Sequence, residues 1–178
     1  PTRVLEVASG TGEHAQFFAS SISDLVYQPT EPMVEMHDSI RAWSSELPNV
    51  RTPVTMDVNS PDPISFLPNE FVACQSDVMI CINMIHISPF QSTHGLFRLA
   101  KECLSSEGFL MTYGPYRVNN FMVESNIAFD QSLRDRNPEW GVRDLEAVEE
   151  VARQHGMLIR ETVAMPSNNL CVFFCKQP

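Results

Sequence analysis

The residues with the most chemistry to offer stand at turns that follow short apolar runs. Glu6-Val7-Ala8-Ser9-Gly10-Thr11-Gly12 closes the run Val4–Ala8 and leads into a helical stretch from His14 to Ser20. Glycines let the backbone come close to a ligand, and a helix amino terminus favours a negative group. A dinucleotide fingerprint, GxGxxG or GxGxxA, can be laid on this turn in two registers. From Ala8 it fails, because Ala8 and Glu13 fill the first and last glycine slots; from Gly10 it fits, with Gly10, Gly12 and Ala15. The turn by itself therefore leaves a nicotinamide ligand open. Glu31 lies about 20 residues further on, at the end of the next apolar run, where a carboxylate can accept both hydroxyls of a ribose. Asp57 ends a third run, Val54–Val58, and can accept a hydrogen bond from an adenine amino group. Either acid alone is equally a solvated loop residue. Three such features at successive strand ends, on the carboxyl edge of one sheet, point to a nucleoside-containing ligand.

A second set of groups lies further along the chain. His86 follows the run Val78–Ile82, on the same edge. With an ordinary pKa of about 6.5 it suits a general base, and equally a side chain bonded to a loop carbonyl. Tyr113, Tyr116 and Arg117 come after the run Phe109–Tyr113; a tyrosine face suits a cation or an aromatic substrate, and core packing explains Tyr113 as well. Arg134, Asn137, Trp140 and Arg143 read either as a cationic, aromatic lid over an acidic small molecule or as ion-pair partners of Asp130, Asp135 and Asp144. His14 stands beside the first turn, where it touches a ligand or packs; His37, His94 and His155 fall on helical stretches and read as surface or packing residues. The 5 cysteines include no paired CxxC, so no metal site is expected. Cys171 and Cys175 are too far apart along one strand to bridge. Reduced, buried thiols imply a reducing compartment, hence a cytoplasmic protein with the nucleus not excluded.

These groups need a scaffold, and the alternation of runs supplies one. Strands are expected at Val4–Ala8, Asp24–Gln28, Val54–Val58, Val78–Ile82 and Phe109–Tyr113, with helices between them, which makes a parallel sheet covered on both faces. Met33, Met36, Ile40, Trp43 and Leu47 form one helical stripe read as core contact. Helical stretches at Phe121–Arg136 and Asp144–His155 are separated by Asn137-Pro138. Leu158–Met165 and Leu170–Lys176, joined by Pro166–Asn169, must pair antiparallel. At 178 residues a single domain over 1–178 is expected, with a helical insertion at about 115–157 on the substrate side. The net charge of −10 disfavours a phosphate backbone as partner, so no nucleic acid is expected, and no apolar run approaches a membrane span. The chain opens at Pro1, so a segment upstream is expected. The oligomeric state is left open.

Glu6, the A-S-G-T-G loop (Ala8–Gly12), Glu31, Asp57 and the final hairpin together resemble class I S-adenosylmethionine-dependent methyltransferases. The blocks VLEVASGTGEH (Val4–His14), YQPTEP (Tyr27–Pro32), CINMIHISP (Cys81–Pro89), TYGPYRVN (Thr112–Asn119), SNIAFDQSLRDRNPEWGVRD (Ser125–Asp144) and MPSNN (Met165–Asn169) look like the methyltransferase-like protein 26 family over essentially the whole chain. The resemblance implies a Rossmann-like, seven-stranded, mostly parallel sheet with helices on both faces and a C-terminal antiparallel β-hairpin. It implies S-adenosylmethionine as cofactor and an unidentified small molecule as substrate. Glu6, Ala8, Ser9, Gly10, Thr11, Gly12 and His14 would surround its methionine part, Glu31 and Pro32 its ribose, and Asp57 and Val58 its adenine. Asn83, Met84 and Ile85 would line the methionyl side. From their own places in the chain, His86 and Tyr113 are the catalytic candidates, and Tyr116, Asn119, Arg134, Trp140 and Arg143 the candidate substrate contacts. The chain departs from the family pattern in three places: Glu31 stands where aspartate is usual, Asn120 where glycine is usual, and the segment before the first strand, part of the expected lid, is absent. No acidic-proline NPPY-type motif follows the fourth strand, which argues against methylation of a nucleobase amino group. Three readings result: a small-molecule methyltransferase, a protein that binds S-adenosylmethionine or its product without turnover, and a nicotinamide oxidoreductase.

Overall fold

The fold is described for residues 1–177, from a computed structural model. Its main sheet has six strands in the order β2-β1-β3-β4-β8-β7, where β1 is Thr2–Val7, β2 Leu25–Thr30, β3 Ser76–Ile82, β4 Leu104–Gly114, β7 Met157–Met165 and β8 Asn169–Lys176. β1 to β4 are parallel, while β8 runs antiparallel to β4 and β7 antiparallel to β8. The pair β5 (Tyr116–Arg117) and β6 (Arg143–Asp144) forms a small parallel sheet of its own. Val4 to Val7 are buried without a break, as expected of a strand covered on both faces.

Helices cover those faces. Ala15 and Ala19 of α1 (Glu13–Ser21) pack with Val4, Leu25, Tyr27 and Ile80 on one side. On the other, α3 (Gln91–Cys103) and α5 (Leu145–Gln154) bring Leu96, Phe97, Val148 and Val151 against Leu5, Met79, Leu110 and Phe174. Each fully buried Leu or Phe here contributes roughly 1.5–3 kcal/mol. Helix α4 (Glu124–Arg136) is different: only Asn126 and Leu133 on it are buried.

The expected seventh strand does not form. Around Val54 the chain runs beside β2, but it makes only the isolated bridges Tyr27↔Val50 and Thr30↔Val54. Two prolines explain the interruption. Pro29 and Pro53 carry no N–H, so the donors that should join the two bridges are missing. The Gln28 side-chain amide takes over, donating to Thr52 O at 3.0 Å and to Pro29 O at 2.8 Å. The expected single helix from Met33 to Leu47 is also shorter, a 3₁₀ turn Val34–Met36 followed by α2, His37–Trp43. Ile40 of its stripe is buried, but Met33 (46% exposed) and Trp43 (48%) are not. The buried histidine of this helix is His37, whose Nε2 donates to Glu31 O at 2.9 Å.

The order of the strands fixes where a ligand can sit. From β1 the chain moves to β2 on one side, then crosses to β3 on the other. Loops leaving β1 and β3 therefore diverge, and open a crevice beyond the carboxyl ends of those strands.

Candidate functional site

A cavity of about 600 Å³ fills that crevice. Its rim near β1 is the turn Ala8–Thr11, which turns sharply by left-handed backbone at Ala8 (φ +58°), Gly10 (+56°) and Gly12 (+96°). The turn is fastened to β2: Ser9 N donates to Thr30 O at 2.8 Å, Thr30 N to Ser9 Oγ at 3.2 Å and Thr30 Oγ1 to Glu6 O at 2.7 Å. Glu31 closes this corner. Buried beside the cavity, its carboxylate accepts Gly10 N–H at 2.9 Å and Met33 N–H at 3.1 Å. A carboxylate has about four acceptor positions, so two remain for ligand hydroxyls. Asp57 lies across the cavity, its Oδ1 bonded to the backbone (2.8 Å) and side chain (3.0 Å) of Asn59. Met56, Val58, Met84, Ile87 and Trp140 make the walls largely apolar. One carboxylate at each end and apolar sides between them suit a nucleoside, with ribose hydroxyls as donors and an aromatic base as filler. The residues therefore fit S-adenosylmethionine.

Beneath the turn lies a buried acid. Glu6 is 1% exposed and its carboxylate makes no hydrogen bond among the described residues; His14 stands beside it, with Nδ1 at 3.5 Å from Oε1. That carboxylate holds the His14 pKa above its ordinary value, against a smaller opposing effect of burial. Burial, with Glu6 alongside, pushes the Tyr27 phenol well above its ordinary value.

A second chamber, of about 350 Å³, adjoins the first. Asn83, in left-handed conformation (φ +61°), lines both. The rest of its lining is His86, Pro115, Asn126, Phe129, Ser167 and Asn169. His86 is 4% exposed, its ring set edge-on to Phe129 with centroids 5.6 Å apart. Gly114 gives it room, since a Cβ there would lie 3.1 Å from the ring. Burial first, then the positive charges of Arg143 and Arg136, bring the His86 pKa down to about 4. At neutral pH the ring is uncharged and has a lone pair to offer.

Of the residues singled out from sequence, Ala8, Ser9, Gly10, Thr11, His14, Glu31, Pro32, Asp57, Val58, Asn83 and Met84 line the first cavity. Three others do not. Glu6 lies below its floor, Ile85 belongs to the core, and Gly12 is needed for packing, because a Cβ there would come 2.7 Å from Ile40 Cα. His86 lines the second chamber, and Tyr113 borders it, its hydroxyl accepting Asn169 Nδ2–H at 3.0 Å. The expected substrate contacts are dispersed. Tyr116 is a core residue sharing a hydrogen bond with Thr112 at 2.8 Å, because the β5–β6 pairing turns it inward. Asn119 and Asn120, both left-handed, form a tight turn in which Phe121 N donates to Val118 O at 2.8 Å. Trp140 lines the first cavity, with Arg136 5.7 Å above its ring. The cationic lid does not form, because its arginines are taken. Arg134 bonds Asp130 at 2.8 Å, Arg117 pairs with Asp144, and Arg143 donates to Ser88 O, Glu139 O and Ile85 O.

Sequence reasoning passed over Met33, Met56, Asn59, Ile87, Ser88 and Ser92 in the first cavity, and Asn126, Phe129, Ser167 and Asn169 in the second. A signal for the latter four existed: they lie in the blocks Ser125–Asp144 and Met165–Asn169. All five cysteines are free, and among the described residues there is no cluster suited to a metal and no helix long and apolar enough to cross a membrane.

A family model described as "Protein of unknown function (DUF938)" matches residues 1–176. Among solved structures, the mitomycin 7-O-methyltransferase MmcR superposes with a TM-score of 0.82 at 10% identity, covering 99% of this chain and 49% of that one. NcsB1, an O-methyltransferase from neocarzinostatin biosynthesis solved with S-adenosylmethionine and 2-hydroxy-5-methyl naphthoic acid, gives 0.76 at 13% identity, covering 98% and 49%. A structure described as a pericyclic reaction enzyme gives 0.74 at 11% identity, covering 99% and 43%. The chain thus spans about half the length of the structures it matches. Its fold is that of S-adenosylmethionine-dependent methyltransferases, with six strands in the main sheet rather than seven.

Proposed function

The chain belongs to the DUF938 family, and from that premise and its two adjoining chambers we propose that it is an S-adenosylmethionine-dependent methyltransferase acting on a small molecule. The observation that carries the reading is Asn83, the wall shared by the acid-tipped, apolar cavity and the chamber holding an uncharged His86. The block resemblance favours the methyltransferase-like protein 26 family in particular. The chain is then one methyltransferase-like domain, with residues 115–157 on the substrate side and the cytoplasm as its compartment.

Bound S-adenosylmethionine supplies a methyl group activated by a sulfonium. Glu31 would hold the ribose hydroxyls, and Asp57, with the apolar Met56 and Val58, would hold the adenine. The Ala8–Thr11 turn would take the amino-acid end, beside His14 and the Glu6 carboxylate that raises its pKa. Methyl transfer asks the protein mainly for alignment, a contribution of roughly 7–11 kcal/mol. His86 would accept a hydrogen bond from a nucleophilic oxygen, nitrogen or sulfur and take its proton as the methyl group leaves the sulfonium for that atom, with S-adenosylhomocysteine as the leaving group. A base with a pKa near 4 is weak, so it works on a nucleophile whose acidity rises sharply in the transition state. Arg143 acts at a distance: by tying the carbonyls of Ile85 and Ser88, it fixes the loop that carries His86.

The test is calorimetric titration with S-adenosylmethionine, S-adenosylhomocysteine and NAD in parallel. Binding of the two adenosyl ligands and not of NAD is expected; binding of NAD alone would return the reading to an oxidoreductase. A second reading is binding of S-adenosylmethionine or its product without methyl transfer; a pericyclic reaction enzyme shares the fold, so the fold alone does not require methyl transfer.

A further inference from the structure

The second chamber selects its occupant by polarity, and the orientation of two amides decides the sign. Asn126 Nδ2 donates to Asn168 O at 3.1 Å. Asn169 Nδ2 donates to Pro166 O at 3.4 Å and to the Tyr113 hydroxyl at 3.0 Å. A carbonyl can only accept, so neither amide can be flipped without losing its bond. Asn169 thereby uses both of its Nδ2 hydrogens and Asn126 one of its two, whereas Oδ1 of each amide accepts no hydrogen bond among the described residues. These two side chains therefore offer chiefly acceptors to an occupant.

Charge points the same way. No Asp, Glu, Lys or Arg lines the chamber among the described residues. The arginines around it are bound to Asp130, Asp144 and loop carbonyls, or stacked on Trp140. Arg136 and Arg143 still act at long range at the His86 end, where they favour a nucleophile that sheds its proton. Pro115 and Phe129 supply apolar walls between the two ends. A volume of about 350 Å³ compares with roughly 150 Å³ for a cavity that admits benzene, so it has room for one substituted ring or two.

We propose that this chamber binds an uncharged, ring-containing small molecule that donates hydrogen bonds to Asn126 and Asn169 and turns its nucleophilic hydroxyl or amine toward His86. This rests on the methyltransferase reading and replaces the acidic substrate expected from the arginine-rich sequence.

The test uses three probes that share a phenol ring. They are 4-hydroxybenzamide (neutral, with N–H donors), 4-hydroxyacetophenone (neutral, without them) and 4-hydroxybenzoate (anionic). Each is titrated into the full chain, free and saturated with S-adenosylhomocysteine, by ligand-observed NMR. The amide should bind at least about tenfold more tightly than the carboxylate, which would face acceptor oxygens, with the ketone between them. Asn126→Asp should shift preference toward the cationic probe 4-hydroxybenzylamine; the melting temperature reports whether that variant folds. Equal or tighter binding of 4-hydroxybenzoate to the wild-type chain overturns the proposal, as does the absence of binding by all three. Failure of S-adenosylhomocysteine to bind would instead overturn the cofactor reading, and the probe order on the free chain would still be read.

Discussion

The two chambers that meet at Asn83 are built in opposite ways. The first takes its walls from strand ends and the turns attached to them, and its key carboxylate, Glu31, is held by two backbone N–H groups. The second is assembled from pieces distant in sequence: the loop after β3, the turn after β4, helix α4 and the hairpin turn between β7 and β8. Their histidines differ accordingly. His14 lies half-exposed beside a buried carboxylate and titrates high, while His86, closed in against Phe129, titrates low. The sheet fixes a charge pattern suited to a constant ligand. The insertion and hairpin make a neutral pocket whose specificity is free to vary.

His86→Ala should separate the chambers most sharply. With the base gone, turnover of any accepted substrate should fall by about 10²–10⁴, while S-adenosylhomocysteine affinity stays within about twofold of wild type by calorimetry. A parallel loss of both would mean that the chambers are one site.

Acid should attack the second chamber and alkali the first. His86 has a folded pKa of about 4 against an ordinary value of about 6.5, so its neutral burial contributes about 3 kcal/mol above pH 6.5. That contribution disappears as the pH falls from about 6.5 to 4. His14 has a raised pKa, so its contribution is complete below about 6.5 and is lost as the pH rises through its folded value. Melting temperatures of wild type, His86→Ala and His14→Asn across pH 4–9 should show the acid slope flattened only in the first variant and the neutral-to-alkaline slope only in the second. Identical slopes in all three proteins would contradict the contrast.

Glu31→Ala should weaken S-adenosylhomocysteine by about 10–100-fold, the scale of losing hydrogen bonds to one charged group, and leave the order of the three phenolic probes unchanged. An unaltered affinity would remove the ribose from Glu31. The smallest effect concerns backbone strain in the first turn. Ala8 holds φ +58°, which costs an L-residue about 1–2 kcal/mol. Ala8→Gly should therefore raise the melting temperature by about 2–4 °C; a lower one would mean that the methyl group contributes more than its strain costs.

The same division governs what could be read in advance. β1, the end of β2, β3 and the hairpin follow from local patterns, because a buried strand and the turn after it are contiguous in sequence; Asp57 lines the cavity although the strand expected to carry it does not form. The strand expected at Val54 was misleading because apolar residues specify burial, whereas a ladder also needs donors that Pro29 and Pro53 lack. Tyr116 looked like a site residue until the two-residue pairing of β5 with β6 turned it into the core. The second chamber was hardest to foresee. Asn126 and Asn169 meet because Asn126 bonds Asn168 O and Asn168 Nδ2 bonds Ser125 Oγ, contacts across more than 40 positions that no periodicity announces.

The missing rungs beside β2 also bear on how the protein behaves in a crowded solution. A sheet margin with a regular row of free amides is a template for any passing strand. On this margin, Pro29 and Pro53 interrupt the row, and Gln28 occupies the carbonyls that a newcomer would seek. The opposite margin, β7, carries a register break between Ile159 and Glu161, with Arg160 and Glu161 exposed. Both borders of the sheet are thus poor seeds for aggregation, and the irregularity that removed a strand acts as a guard on the fold.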